Sequence, residues 1–254
     1  MNVTSIIIPT FNGLPLLITC VESIRLYTDL PYEIIVIDNG SSDGTLEYCL
    51  IERIIFISLP NNTGFPTACN LGMSAASGDQ ILLLNNDVVV SHGWLNNMLS
   101  ALYSEEKIGI IGPVTRDVSG IQQVTCDYED MQQFHQLASQ WNIPDSSKWQ
   151  VVERIVGVCF LFRRELMDTI GMLDEHFSPG HFEDDDYCFR ARSHGYKLLM
   201  CGDVLVHHEG SVSFKKRYPE GWHDLVVRNR QLFIDKWQVD PYDFLLANKV
   251  ENGT

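Results

Sequence analysis

The sequence predicts an α/β fold with a mostly parallel central sheet flanked by helices, and three observations predict it. Short, near-continuous apolar runs recur through the first half of the chain. Segments of helical spacing separate them. Each run ends in polar turn residues. Strands that are apolar on both faces belong to parallel sheets covered on two sides. Such sheets bind ligands just beyond the carboxyl ends of their strands.

The elements follow in order. Residues 5–8 form an apolar run stopped by Pro9-Thr10 and Asn12-Gly13, a buried strand and then a turn. Leu14, Leu17, Ile18, Val21 and Ile24 keep helical spacing. A second strand at 33–37 closes in Asp38-Asn39-Gly40-Ser41-Ser42, and a short helix covers 45–50. A strand at 54–59, a helix at 66–77 stopped by Gly78, and a strand at 80–84 come next. That strand ends in Asn85-Asn86-Asp87. A helix at 94–103 and a strand at 108–111 complete the regular part. Residues 115–150 show no readable pattern. An apolar segment at 151–162 contains Gly157. Helices are expected at 164–170 and 184–194, strands at 197–200 and 204–206, and a terminal amphipathic helix at 222–237. The expected organisation is one unit over 1–254, with a nucleotide-binding half at 1–114, an acceptor-side half at 115–221, and a helix and tail at 222–254.

Bulk properties narrow the function. The chain has 254 residues, 45% hydrophobic and 20% charged, enough for a core that needs no staples. The net charge of −15 argues against a nucleic-acid binder, which needs a basic face. Only Arg25 and Arg53 are basic before Lys107, whereas basic residues gather from Arg190 to Lys236. Among these, Arg190, Arg192, Lys215, Lys216 and Arg217 could hold a diphosphate, although solvated charge is the default. Seven cysteines without a Cys-x-x-Cys spacing read as buried free thiols of a reducing compartment. No signal peptide and no transmembrane run are visible. The expectation is a cytoplasmic protein, with peripheral membrane contact through a partner or a lipid-linked acceptor.

Four segments carry candidate chemistry. Glu183-Asp184-Asp185-Asp186 is an acidic helix start, where the macrodipole offsets part of the repulsion. The apolar flanks His181-Phe182 and Tyr187-Cys188-Phe189 bury it in part. Burial raises carboxylate pKa values and suits general-base work. Asn85-Asn86-Asp87 is an oxygen-rich strand end able to hold a hard divalent cation if a ligand supplies further oxygens; a capped turn is the bland alternative. Asp38-Asn39 can accept from a base or ribose, or can simply shape its turn. In His207-His208 one ring faces inward and one outward, and a structural histidine is the plainer reading.

Together these segments resemble the family 2 glycosyltransferases, and more narrowly the bacterial branch that includes rhamnosyltransferases and flagellin-modifying enzymes. The marks are Ser-Ile-Ile-Ile-Pro-Thr-Phe-Asn from Ser5, Ile-Val-Ile-Asp-Asn-Gly-Ser-Ser-Asp-Gly from Ile35, and Asn-Thr-Gly-Phe-Pro-Thr-Ala-Cys-Asn-Leu-Gly from Asn62. Leu-Leu-Leu-Asn-Asn-Asp from Leu82, Gly157 through Arg164, Leu-Asp-Glu-His-Phe from Leu173, Phe-Glu-Asp-Asp-Asp from Phe182, and His207 continue the series. Their shared order and spacing is specific.

The resemblance implies the GT-A fold, a Rossmann-like nucleotide-diphospho-sugar transferase. It places Pro9, Thr10, Asn12, Asp38, Asn39, Asn62, Gly64, Asn70, Asn86 and Asp87 at the donor. Asp87 is matched to the last carboxylate of the family's D-x-D motif, here N-N-D, and would bind Mn2+ or Mg2+ with His207, His208 being the fallback. Asp184 is matched to the catalytic base, with Glu183 beside it. Gly157, Glu183 and Asp186 would face the acceptor. The implied reaction is inverting transfer from a UDP- or dTDP-sugar to a glycan, lipid-linked glycan or protein hydroxyl. A nucleotidyltransferase would need a basic glycine-rich loop after the first strand, and 9–15 has no basic residue. A non-catalytic nucleotide-sugar-binding module is the other alternative.

Overall fold

The computed structural model describes residues 3–210 and 222–247. The amino-terminal half alternates as the apolar runs require: β1 (Thr4–Thr10), α1 (Leu14–Tyr27), β2 (Tyr32–Asp38), α2 (Thr45–Ile51), β3 (Ile55–Ser58), α3 (Phe65–Ala75) and β4 (Gln80–Leu84). Then come β5 (Val88–Val89), α4 (Trp94–Leu102), β6 (Ile108–Val114), α5 (Met131–Trp141), β7 (Trp149–Val152), β8 (Cys159–Arg163) and α6 (Arg164–Ile170). The described part ends with α7 (Glu183–Ser193), β9 (Lys197–Leu205), β10 (His207–His208), α8 (Trp222–Trp237) and α9 (Pro241–Ala247).

Eight strands form one sheet in the order β3-β2-β1-β4-β8-β6-β9-β7. The pairs β3–β2, β2–β1, β1–β4 and β6–β9 are parallel. The large sheet is therefore mostly parallel, but β8 runs antiparallel to both β4 and β6, and β7 antiparallel to β9. Successive residues of a strand point to opposite faces. Ile6 and Ile8 accordingly join one core and Ile7 the other. That is why β1 carries the unbroken apolar run Ile6-Ile7-Ile8: both its faces are covered.

Three segments differ from the sequence reading. The apolar run at 151–162 is two strands: β7 on the sheet edge and β8 in its centre, separated by a turn that holds Gly157. The expected strands at 197–200 and 204–206 are one strand, whose pairing with β6 shifts register between Pro113 and Val114. Residues 115–150 contain α5, capped by Asp130, whose side chain accepts from Gln133 N. Its apolar stripe is short, with Phe134 and Ala138 its buried residues, too weak a period to stand out. All seven cysteines are buried and free, as their apolar contexts suggest. Among the described residues, no helix is long and apolar enough to cross a membrane.

The helix α8 is more than a terminal cover. Arg228 donates to the carbonyls of His176 and Ser178, and Asn229 to those of Phe177, Gly180 and His181. The remaining carbonyl of this loop, Pro179 O, accepts from Phe65 N at the start of α3. Every carbonyl from 176 to 181 is thus engaged, and the loop leads straight into α7. Asn229 is fully buried. We predict that Asn229→Ala lowers unfolding stability by about 1–3 kcal/mol, because it strips partners from buried carbonyls. Urea unfolding measures this, and an unchanged midpoint would show that the clasp contributes nothing.

Candidate active site

A cleft of about 980 Å³ opens beyond the carboxyl ends of β1, β2 and β4. Its walls include Pro9, Thr10, Asn39, Asn62, Asn86 and Asp87 from the strand ends, and Gly157, Glu183, Asp184 and Asp185 from the opposite side. Groups far apart in sequence converge on one edge of the sheet, as its topology requires.

The donor-side residues divide into those that line the cleft and those that build its loops. Thr10 Oγ1 accepts from Asn86 Nδ2 at 2.8 Å, which joins the ends of β1 and β4. Asn39 receives Thr63 N and donates to Gly64 O, so it shapes the loop carrying Asn62. Asn62 Oδ1 accepts from Gly64 N. Gly64 has φ +96°, and a Cβ there would lie 2.9 Å from Pro179 Cα. Only glycine lets the loop at 178–182 sit against the start of α3. Four expected donor residues do not reach the cleft wall, and Gly64, which only shapes its loop, is one of them. Asn12 is tied to Ser41 and Ser42. Buried Asp38 accepts from Ser41 N and Ser58 Oγ. Asn70 faces away from the cleft and binds the main chain of Leu173 and the carboxylate of Glu175. Its three bonds fasten α3 to the turn that follows α6.

The alternation of β10 sends the two histidines to different places. His207 lies behind the cleft, its ring bonded to Tyr128 Oη at 2.7 Å and Glu209 at 3.0 Å. His208 faces the cleft, with Nε2 3.3 Å from Asp87 Oδ1. Its Nδ1 lies 2.6 Å from Asp117 O. A carbonyl only accepts, so Nδ1 carries a proton and the neutral ring presents the Nε2 lone pair to Asp87. Neither Nε2 nor Oδ1 has a hydrogen-bond partner among the described residues. A lone pair facing a carboxylate is repulsive unless positive charge lies between them. A proton would serve: burial disfavours it, but the hydrogen bond and charge of Asp87 outweigh burial and raise the His208 pKa. A divalent cation would serve equally, and one carboxylate with one imidazole is a suitable donor pair for Mn2+. No group of three or more metal-ligating side chains gathers among the described residues. Further ligands would have to come from a bound diphosphate or water.

Opposite stands the acidic start of α7. Consecutive helical residues point about 100° apart, so the four carboxylates take four destinations. Asp186, expected on the acceptor side, is instead fully buried away from the cleft and bonded to Arg190, Lys236 and Trp237. It anchors α7 to α8. Asp185 pairs with Arg154 at 2.6 Å. Asp184 lines the cleft half-buried, its two oxygens accepting from Gly157 N at 2.8 Å and Asp185 N at 2.9 Å. A Cβ on Gly157 would come within 3.3 Å of Asp184 Cβ, so glycine keeps this approach open. Glu183 is buried, and its Oε2 has no hydrogen-bond partner among the described residues. Burial first, and the charge of Asp184 second, push its pKa well above the ordinary carboxylate range. Both effects favour the neutral form of Glu183.

Arg154 was not singled out from the sequence. It lines the cleft and balances Asp185 within a largely buried setting. The available signal was a single basic residue within an apolar segment, three positions before Gly157. The basic candidates Lys215, Lys216 and Arg217 lie outside the described residues. Arg190 and Arg192 lie away from the cleft, paired with Asp186 and Glu153.

Comparison with known proteins agrees with this architecture. The model of glycosyl transferase family 2 matches residues 5–171. The uncharacterized glycosyltransferase YwdF of Bacillus subtilis (strain 168) is 31% identical over 216 residues, covering 79% of this chain and 72% of that protein. Among solved structures, GalNAc-T7 with UDP, GalNAc and Mn2+ superposes with a TM-score of 0.66 at 17% identity, over 82% of this chain and 44% of that one. The mannosyltransferase PcManGT of Pyrobaculum calidifontis, in complex with GDP-Man and Mn2+, gives 0.65 at 18% identity, over 91% of this chain and 64% of that one. The chain spans a quarter or less of the length of two further curated relatives. The structural likenesses establish the GT-A fold, and the family match together with the identity to YwdF establishes the lineage: this chain belongs to glycosyl transferase family 2 and is a glycosyltransferase.

Proposed function

We propose that the chain catalyses inverting transfer of one sugar from a nucleotide-diphosphate donor, UDP- or dTDP-linked, to an acceptor hydroxyl on a glycan, lipid-linked glycan or protein. The observation that carries this reading is Asp184: a carboxylate held by two backbone N–H groups, facing a cleft whose opposite wall carries Asp87 and His208. The N-N-D at 85–87 supports the bacterial branch with rhamnosyltransferases and flagellin-modifying enzymes.

The residues divide the work. The strand ends at Pro9, Thr10, Asn39, Asn62 and Asn86 form the donor wall. Asp87 and His208 would hold a divalent cation, Mn2+ or Mg2+, which when bound supplies positive charge at the leaving diphosphate. Asp184 takes the proton of the acceptor hydroxyl. That oxygen bonds to the anomeric carbon as the bond to the diphosphate breaks, its electron pair leaving with the phosphate. Attack opposite the leaving group inverts the configuration. Burial and the neighbouring carboxylate disfavour charge on Glu183, which limits repulsion beside Asp184. Gly157 N–H and Asp185 N–H fix its orientation, and a general base must be placed before its basicity counts.

Two predictions test this reading. Asp184→Asn keeps shape and removes the base, so transfer falls by about 10²–10⁴-fold while calorimetric binding of nucleotide persists. Transfer by that variant at the wild-type rate would sink the assignment. Titration of the wild type with UDP, dTDP and GDP, each with and without Mn2+, should give one preferred nucleotide whose binding depends on the cation. His208→Ala and Asp87→Ala should each weaken that dependence by about tenfold or more, whereas His207→Ala should preserve it. Equal dependence in the His208 variant and the wild type would return the role to His207 or remove the metal from the scheme.

A further inference from the structure

One wall of the cleft is built by residues beyond the family-matched stretch. The helices α8 and α9 bring Trp222, Val226, Pro241 and Tyr242 to it, next to Phe182. Phe182 immediately precedes Glu183 and Asp184, so this apolar wall stands at the end of the cleft that holds the base. Its rings are fixed in place. His181 meets Trp222 edge-on with centroids 4.1 Å apart. The Arg230 guanidinium lies 4.3 Å over the Tyr242 ring and is itself paired with Asp240. Phe182 and Tyr242 lie 6.1 Å apart, and the cluster formed by Phe177, Phe182 and Phe233 supports both. Trp222 and Tyr242 are half-buried, so each keeps solvent-accessible surface.

We infer that this wall is the acceptor subsite and that it takes a pyranose ring. The inference rests on the transferase reading above and specifies its acceptor. A pyranoside has an apolar C–H face and a rim of hydroxyls. Aromatic rings offer the face a rigid apolar surface at little entropic cost. Carboxylates accept from the rim. Both kinds of surface adjoin here: the aromatic wall on one side, and Asp184 with the Asp185–Arg154 pair on the other. An acyl chain seeks an apolar channel without carboxylates, which this end of the cleft does not offer. A peptide hydroxyl has no flat apolar face to match the rings. The pyranose lies against Trp222 and Tyr242 and turns one hydroxyl toward Asp184.

The test uses the full chain with saturating preferred nucleotide and Mn2+. Saturation-transfer NMR is recorded with the methyl pyranosides of glucose, galactose, N-acetylglucosamine and rhamnose, and with a serine- and threonine-containing tetrapeptide and octyl phosphate for comparison. At least one methyl pyranoside is expected to receive saturation, strongest on the protons of one ring face. Trp222→Ala and Tyr242→Ala should each weaken its binding by about tenfold, with nucleotide affinity as in the wild type. Tyr242→Phe, which keeps the ring, should restore binding. Nucleotide binding without any pyranoside signal overturns the subsite, and so does pyranoside binding undiminished in both alanine variants. Saturation of the peptide or octyl probe alone overturns it too. Failure of the wild type to bind any nucleotide is a different result: it removes the transferase reading and the subsite with it.

Discussion

Four consecutive carboxylates at the start of one helix are the constraint around which this half of the molecule is arranged. Left together in a poorly solvated place they would repel, and the helix macrodipole offsets only part of that cost. The fold separates them by destination. Asp186 is consumed by Arg190, Lys236 and Trp237, and Asp185 by Arg154. Glu183 is buried without a hydrogen-bonded partner for Oε2 among the described residues, and its raised pKa favours the neutral form. Of the three that line the cleft, Asp184 is the one whose two oxygens are each held by a backbone N–H group.

That arrangement needs a rigid approach to the helix. His181 and Phe182 have φ of +75° and +70°, a region that residues with side chains occupy at a cost of about 1–3 kcal/mol each. The surrounding hydrogen bonds offset it. Arg228 and Asn229 hold the carbonyls on one side, and Phe65 N holds Pro179 O on the other. Phe65 opens α3 directly after the loop that Asn39 shapes on the donor side. The same short segment therefore ties the donor wall to the base and to the helix that carries the aromatic wall. A change in any of the three would be felt by the other two through backbone contacts, not through long-range charge.

The opposite wall obeys a simpler rule. Asp87 and His208 come together because β10 pairs antiparallel with β5, with His208 opposite Val88 and His207 opposite Val89. Alternation then sends the two rings to opposite sides. The Asp117 carbonyl behind His208 accepts from its Nδ1, so Nε2 is the ring atom aimed at Asp87. His207 is equally well satisfied, by Tyr128 behind the cleft and by Glu209 at its wall.

The sequence alone determined the strands β1, β2 and β4, the helices between them and the strand-end position of the site, because continuous apolar runs and turn residues are local signals. It placed Thr10, Asp38 and Asp87 at strand ends on one edge of the sheet; Thr10 and Asp87 line the cleft, whereas Asp38 is held by Ser41 and Ser58, and Asp184 was added by the family resemblance alone. Tertiary structure alone decided which of two neighbouring histidines faces the cleft, since two adjacent residues in a strand look alike until a partner strand fixes the faces. It also decided that Asp186 and Asn70 are fasteners, because the partners they fasten, Lys236 and Leu173, lie 50 and 103 positions away along the chain. Arg154 was hidden for the same reason: its role is set by Asp185, a residue with no local relation to it. Short-range pattern fixes elements, whereas the direction of a side chain is fixed by what packs against it.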